Sequence, residues 1–193
     1  MGAGRDTRHS PLELPLMKLV SQPACITKKA PEYGVQIFES WIDLWECPDK
    51  NAIQEAITYI VENSPYPDWV RPGTNSSSGL PDFLDTECLD LELTAEFIKN
   101  AKEIHDDAYD IELKLTAYFH LCNRADRVCT VSDFEDRFCG RYKDEGEFAR
   151  EIYAKQDLSK DAKELLRFMD WEKVWAEELR YSYFCVERYI FRR

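Results

Sequence analysis

The chain has 193 residues, of which 44% are hydrophobic and 13% aromatic, and it carries a net charge of −12. This composition predicts a folded protein with a sizeable core and argues against a disordered chain, which would be poorer in aromatic residues. No apolar run approaches the roughly 18 residues of a membrane span, and no signal peptide fits the start. We therefore expect a soluble, cytoplasmic protein without a membrane partner.

The negative charge is concentrated in one part of the chain. Residues 31–120 hold nineteen acidic and five basic residues, a net charge of −14, whereas residues 1–30 carry +3 and residues 121–193 carry −1. A field of that sign repels nucleic acid and attracts basic surfaces, including the grooves of DNA-binding proteins. We expect a basic protein as partner and no direct binding to nucleic acid.

The seven cysteines are odd in number and scattered, without a CxxC pair, which is typical of free thiols in a reducing cytosol. One cluster has the residue types of a metal site, and its spacings match no common zinc pattern. Its members are His120, Cys122, Cys129 and Cys139. We predict no metal and no cofactor.

At the N terminus, residues 1–22 are mildly basic and show no sustained period, so we interpret them as a flexible arm. Pro23 to Trp45 contains β-prone runs on either side of a turn-forming Tyr33-Gly34 pair. The pattern predicts a β-hairpin.

A helix is predicted next, with Asp49 as its N-cap and its end near Asn63, before a proline-containing segment. Apolar residues recur along it at helical spacing: Ile53, Ala56, Ile57, Ile60 and Val61. Residues 71–81 are rich in Gly, Ser, Asn and Pro and predict a loop. Hairpin and helix together form a predicted domain over residues 23–80.

Residues 82–112 carry eleven acidic residues against two lysines. A helix of this length would rise about 46 Å, or one carboxylate every 4 Å or so, against one phosphate about every 3.4 Å along a DNA strand. An ordinary solvated helix face remains an alternative explanation. Two apolar stripes predict a small helical domain over residues 81–122: Leu89, Leu93, Phe97 and Ile98, then Ile111, Leu115, Tyr118 and Phe119.

A C-terminal α+β domain is predicted over residues 123–193. Residues 134–142 fit either a helix or a strand, and residues 144–154 predict a helix with Phe148 and Ile152 facing inward. The aromatic, β-branched tail from Tyr181 predicts a closing strand. Helices within residues 159–179 share a predicted apolar face: Leu165, Leu166, Phe168, Trp171, Val174 and Trp175.

Several short motifs occur in an order that resembles the ArdA-type antirestriction proteins. They are Trp41-Ile42-Asp43-Leu44, the Ser64-Pro65-Tyr66-Pro67 segment, Phe138-Cys139-Gly140-Arg141-Tyr142 and Met169-Asp170-Trp171-Glu172. The resemblance covers about residues 23–193. It departs from the family at the Ser-rich loop 71–79 and at the turn before Gly34.

The resemblance implies an α+β protein shaped as an elongated rod of three small domains, paired as a homodimer through the C-terminal domains. It implies a mimic of B-DNA that occupies the DNA-binding groove of a type I restriction–modification enzyme, at its methyltransferase core. Incoming phage or plasmid DNA would thereby be protected in the bacterial host cytosol.

Two sets of residues follow from these arguments. The expected DNA-mimic surface comprises Asp43, Glu46, Asp49, Glu55, Glu62, Asp68, Asp82, Asp85, Glu87, Asp90, Glu92, Glu96, Glu103, Asp106, Asp107, Asp110 and Glu112. The expected dimer contact lies in the nearly neutral, aromatic C-terminal part, at Trp171, Trp175, Tyr183, Phe184 and Tyr189.

Two other classes of function are weighed against mimicry. The chain has three histidines and no nucleophile elbow, P-loop or dinucleotide fingerprint, so we predict that it is not an enzyme and has no catalytic residues. An acidic adaptor that binds a basic protein without imitating DNA remains an open alternative. Competition with DNA for one groove distinguishes the two.

Overall fold

The structure, a computed structural model, describes residues 24–28, 38–63, 71–73, 80–84, 90–106 and 111–193. Helices and small antiparallel sheets make up these ranges, which confirms the predicted α+β class. The chain divides into two compact units, residues 1–99 and 100–193. The rod of three domains stays a prediction, and the expected arm at residues 1–22 lies outside the described residues.

The first sheet belongs to the N-terminal unit. Strands β1 (Ala24–Lys28) and β2 (Phe38–Ile42) pair antiparallel, with Ala24 opposite Ile42. This pairing confirms the β-hairpin predicted for this part of the chain.

A third strand, β3 (Arg71–Gly73), pairs antiparallel with the other side of β1. The prediction of loop for residues 71–73 is therefore wrong. Pro72 lies opposite Ile26 in this pairing. A proline is tolerated here because β3 is an edge strand, where one side of the backbone needs no ladder partner.

Helix α1 (Lys50–Glu62) follows the predicted bounds closely. The Asp49 carboxylate accepts a hydrogen bond from the Ala52 N–H at 3.0 Å, as an N-cap should, and Asn63 ends the helix. Ile53 and Ile57 are buried, so the apolar stripe holds α1 against its own unit.

The acidic stretch contains helix α2 (Leu91–Asp106) and the start of helix α3 (Ile111–Ala125). Phe97 and Ile98 are buried as predicted, but Leu93 is 38% exposed, so its inward assignment is wrong. The buried face of α2 is formed by Thr94, Phe97, Ile98, Asn100, Ala101 and Ile104, and Leu93 lies on the same side but in the first turn of the helix. On α3, Leu115 and Tyr118 are buried as predicted.

A buried polar network fastens the segment after α3. The Cys129 carbonyl accepts hydrogen bonds from the Tyr118 hydroxyl at 2.7 Å and from Asn100 Nδ2 at 3.1 Å. The Cys129 N–H donates to Cys122 Sγ at 3.4 Å. Because each group has a partner, these polar atoms can lie in the core without a large desolvation penalty.

The second sheet closes the C-terminal unit. Its strands are β4 (Phe138–Arg141), β5 (Tyr183–Val186) and β6 (Tyr189–Arg192), antiparallel in the order β4-β6-β5. The predicted closing strand is thus a hairpin of two strands. Its turn is Glu187-Arg188, both with positive φ (48° and 73°), which matches the twist that a two-residue hairpin turn requires.

Residues 134–142, whose pattern fits either a helix or a strand, contain the end of a helix and a strand. Helix α4 (Val131–Arg137) begins at an N-cap Thr130 and runs directly into β4 at Phe138. The register of β4 against β6 shifts between Phe138 and Gly140, where Gly140 has a φ of 126°. Glycine supplies that left-handed backbone without strain.

Three further helices lie between β4 and β5 in the chain: α5 (Glu145–Ala154), α6 (Lys160–Leu165) and α7 (Trp171–Glu177). Each begins at a side-chain N-cap. The caps are Asp144, Ser159 and Asp170, whose oxygens accept the N–H groups of Glu147, Ala162 and Lys173. The cap residues therefore fix three helix starts that the sequence indicates only approximately.

Phe148 on α5 is the centre of the C-terminal core. It is 1% exposed, which confirms its predicted inward position. Its ring lies 4.9 Å from that of Tyr183, 5.1 Å from Tyr142 and 6.0 Å from Trp175, all edge-to-face. Such pairs stabilise beyond the area that they bury.

The predicted apolar face of residues 159–179 is wrong at two positions. Leu165 is 65% exposed and Phe168 is 86% exposed, whereas Val174 is buried. Residues 166–168 form a 3-10 helix directly after the short α6. Its three-residue turn breaks the 3.6-residue period, so apolar residues before and after it do not stay on one face.

Candidate functional site

Exposed carboxylates lie along the N-terminal unit and along helix α2. We name the expected mimic residues the acidic surface, and every member whose side chain is described is exposed. These are Asp43, Glu46, Asp49, Glu55, Glu62, Asp82, Asp90, Glu92, Glu96 and Glu103. The remaining members lie outside the described side chains: Asp68, Asp85, Glu87, Asp106, Asp107, Asp110 and Glu112.

On α1 the acids share one face with an aromatic residue. Glu55, Tyr59 and Glu62 are spaced four and three residues apart, which places neighbours on the same side of the helix. Burial of Ile53 and Ile57 on the opposite side fixes which face is turned to solvent. The outward face of α1 therefore presents two carboxylates with a phenol ring between them.

The start of α2 is tied to the start of α1. The Asp90 carboxylate accepts hydrogen bonds from the N–H groups of Glu92 at 3.0 Å and Leu93 at 3.1 Å, which caps α2. Lys50 forms an ion pair with Glu92. The hydrogen bond and charge of Glu92 raise the pKa of Lys50, so this lysine stays charged at any physiological pH.

Some acids of the surface also have a local structural role. The Asp43 carboxylate accepts the Trp45 N–H at 2.9 Å, and Asp49 and Asp90 cap helices. Four others form no ion pair with the described residues: Glu46, Glu55, Glu62 and Glu96. Their carboxylates can be neutralised without removing a cap, so they are the suitable positions for testing charge alone.

An open depression of about 440 Å³ lies in the C-terminal unit, lined by residues of α5 and α7 with Met169. Three of its four acids, Asp144, Glu147 and Asp170, accept hydrogen bonds from backbone N–H groups. Asp144 accepts the Glu147 N–H at 2.8 Å, and Glu147 accepts the Lys143 N–H at 2.7 Å. Asp170 caps α7. These carboxylates are therefore committed to helix starts.

A second depression, of about 450 Å³, lies beside His120 and Glu187. The His120 ring lies 5.5 Å from that of Phe119 and 5.6 Å from that of Tyr189. Burial lowers the pKa of His120, and the nearby Glu187 opposes that shift in part. The imidazole is therefore neutral at neutral pH.

Within the described ranges, no group of three or more His, Cys, Asp or Glu side chains is placed to hold a metal ion. Cys122 and Cys129 are buried free thiols, and Cys139 is a half-buried one. None of the described helices combines the length and apolar character that crossing a bilayer requires.

The aromatic residues expected at a dimer contact are packed within the chain to different degrees. Trp171, Trp175, Tyr183 and Phe184 are half-buried, and Tyr189 is buried. Trp171 lies 5.8 Å from the ring of Tyr153, and Phe184 stacks on Phe191 at 5.3 Å. They stay candidates for the contact, although each already has partners in its own chain.

Three apolar side chains shortly before Trp171 in the chain are more exposed, and two of them, Leu165 and Phe168, were predicted to face inward. Leu165, Phe168 and Met169 are 65%, 86% and 42% exposed. Their exposure follows from the break between the short helix α6 and the 3-10 turn, and the helical spacing of the apolar residues gives no sign of that break. We name these three residues the apolar patch.

Comparison with known proteins gives one family. The family model described as "Antirestriction protein (ArdA)" matches residues 36–191, which is most of the chain. No curated protein and no solved structure gives a significant match.

Proposed function

Because the chain belongs to the ArdA family of antirestriction proteins, we propose that it acts as a B-DNA mimic. In this proposal it occupies the DNA-binding groove of a type I restriction–modification enzyme, at the methyltransferase core, and incoming DNA escapes. The observation that carries the proposal is the acidic surface, since every described member is exposed.

The physical basis is electrostatic. A groove lined with Lys and Arg gains affinity for DNA largely through the release of counterions condensed on the phosphates. An array of carboxylates held on folded elements presents similar charge to the same groove. No covalent step is involved, so no catalytic residue and no cofactor are required.

The proposed surface is distributed over many side chains. An exposed charge pair contributes about 0–1 kcal/mol, so Glu96→Gln alone should change inhibition little. Affinity should fall progressively as more carboxylates are removed. No single member of the acidic surface is expected to be essential.

We propose further that the chain is a homodimer in the host cytosol, joined through its C-terminal part. Residues 121–193 have a net charge of −1, so two copies can meet there with little of the repulsion that residues 31–120 would cause. The apolar patch is exposed in the single chain. A second copy would cover it, with the half-buried Trp171 beside it.

The test is competition. Purified protein is titrated into a type I methyltransferase core, and binding is measured with and without duplex DNA carrying the target site. We expect stoichiometric binding, displacement by DNA, and an affinity that falls steeply as salt rises.

The adaptor alternative gives a different result in the same measurement. An acidic protein that binds elsewhere on a basic partner would stay bound at saturating DNA. Failure of DNA to displace the chain would therefore overturn mimicry and favour the adaptor.

A further inference from the structure

Tyr59 is an anomaly on a surface otherwise built for charge. Its side chain is 68% exposed, the highest exposure of any large hydrophobic residue described in the N-terminal unit. A solvated helix face has no need of a phenol ring there, since Glu, Gln or Lys would favour the helix as well. Lone exposed aromatics are common, so the argument rests on what surrounds this one.

The surroundings of Tyr59 are specific in charge. Glu55 lies one turn before it and Glu62 one turn after it on the same face of α1. The two carboxylates are about 10 Å apart along the helix axis, with the ring between them. Neither forms an ion pair with the described residues, and the helix's one lysine, Lys50, is engaged with Glu92.

Tyr181, in the C-terminal unit, provides the contrast. It is 67% exposed, almost the same as Tyr59, but the Arg180 guanidinium lies over its ring at 5.0 Å from the centroid. Within the described part of the chain, no cation lies over the ring of Tyr59. The ring of Tyr181 already has an arginine over it, whereas on the described helix α1 the charged neighbours of Tyr59 one turn away are Glu55 and Glu62.

We propose that Tyr59, Glu55 and Glu62 form a docking site for an arginine side chain of the partner protein. The guanidinium would stack on the phenol ring while its N–H groups reach a neighbouring carboxylate. Arginine fits this site better than lysine, because its planar, weakly hydrated group both stacks on aromatic faces and forms bidentate hydrogen bonds. The site deepens the proposed function by naming the chemistry of one partner residue.

The carboxylates and the tyrosine of α1 would contribute to binding in different ways. Carboxylates spread over the surface provide long-range attraction, which depends strongly on salt. A stacked Tyr–Arg pair acts at contact, and interface hot spots are enriched in both residue types. Tyr59 should therefore slow dissociation, whereas Glu55 and Glu62 should set the salt dependence.

The first experiment needs no restriction enzyme. The full chain is titrated with an octa-arginine and an octa-lysine peptide by calorimetry, and the ratio of the two dissociation constants is compared between variants. Tyr59→Leu should lower the preference for arginine about two- to fivefold, while Tyr59→Phe keeps it, because stacking needs the ring and not the hydroxyl. Tyr181→Leu, the matched control, should leave the ratio unchanged.

An unchanged ratio in Tyr59→Leu, or an equal fall in Tyr181→Leu, would overturn the inference. In a second arm, Tyr59→Leu should raise the dissociation constant for a type I methyltransferase core about two- to fivefold through faster dissociation, with the salt slope unchanged. If the peptides show the Tyr59 effect and the wild type fails to bind the core, the proposed function fails and the docking site stands. If the wild type binds the core but Tyr59→Leu has no effect in either experiment, the docking site fails and the proposed function stands.

Discussion

The acidic segment, residues 31–120, and the C-terminal segment, residues 121–193, use charged residues in different ways. In the C-terminal segment fifteen basic residues meet sixteen acidic ones. Four of the basic residues form ion pairs, and three of these pairs are close: Asp133 lies 2.7 Å from Arg137 and 3.4 Å from Arg127, and Glu151 lies 2.5 Å from Lys155. In the acidic segment, five basic residues cannot neutralise nineteen acids.

Aromatic residues differ between the same regions. Phe148, Phe134 and Phe191 are buried in the C-terminal core, and their rings contact further aromatics. On α1, Tyr59 is exposed beside carboxylates. The two segments should therefore respond differently to mutation: changes in the C-terminal core should lower stability, and changes on the acidic surface should weaken binding.

The largest effect is expected from Phe148→Ala. The side chain is fully buried among three aromatic rings, so its removal should lower the free energy of unfolding by about 3–5 kcal/mol. Urea denaturation followed by circular dichroism measures it. Tyr59→Ala is the control, because an aromatic ring of similar size is 68% exposed there and lies outside the proposed dimer contact, so its removal should cost little stability. Equal losses would contradict the assignment of the core.

Next comes the combined change of Glu46, Glu55, Glu62 and Glu96 to Gln. Four exposed pairs at about 0.5 kcal/mol each predict about 30-fold weaker binding to the methyltransferase core. The free energy of unfolding should stay the same or rise, because repulsion between like charges is relieved. Titration and urea denaturation on the same sample separate the two effects.

A matched control removes four acids from the C-terminal segment: Glu135, Asp136, Asp157 and Glu164, all exposed, each changed to its amide. It alters the net charge by the same amount. Binding should stay within about twofold of the wild type. A loss as large as that of the first variant would show that net charge matters and its position does not.

The third prediction concerns the proposed dimer. Phe168→Glu places a carboxylate in the apolar patch and should raise the dimer dissociation constant about tenfold or more, because the charge loses water at the contact. Sedimentation velocity over a concentration series measures it. Tyr59→Glu is the control, because Tyr59 is also an exposed aromatic residue but lies on α1, and this change should leave the dimer intact. A wild-type chain that is monomeric at tens of micromolar would refute the dimer.

The smallest effect concerns pH. Because burial lowers the pKa of His120, the native state binds this proton less readily than the unfolded state. Stability from His120 is therefore present above the unfolded value of about 6.5 and is lost as pH falls through the lower folded value. Between about pH 7 and 5, the urea midpoint of unfolding should fall less in His120→Gln than in the wild type. This difference in stability should be smaller than the loss caused by Phe148→Ala. An identical decline in both chains would contradict it.

The sequence alone determined the features that depend on local chemistry. The carboxylate of Asp49 caps α1 because a short acidic side chain satisfies the first free N–H groups, wherever the helix lies. The hairpin of β1 and β2, the buried Ile53 and Ile57, and the inward Phe148 follow from periods of two and 3.6 residues. The excess of acid in residues 31–120, and with it the family resemblance, is visible without any coordinates.

The tertiary structure decided what local pattern leaves open. Arg71–Gly73 has the composition of a loop and becomes a strand only because β1 offers it a free edge. Leu93 and Phe168 are apolar and lie at helical spacing, yet both are exposed. Leu93 lies in the first turn of α2, and Phe168 lies in the 3-10 turn after α6. Hydrophobicity predicts which residues favour burial, but the packing of helices and strands against one another determines which of them are buried.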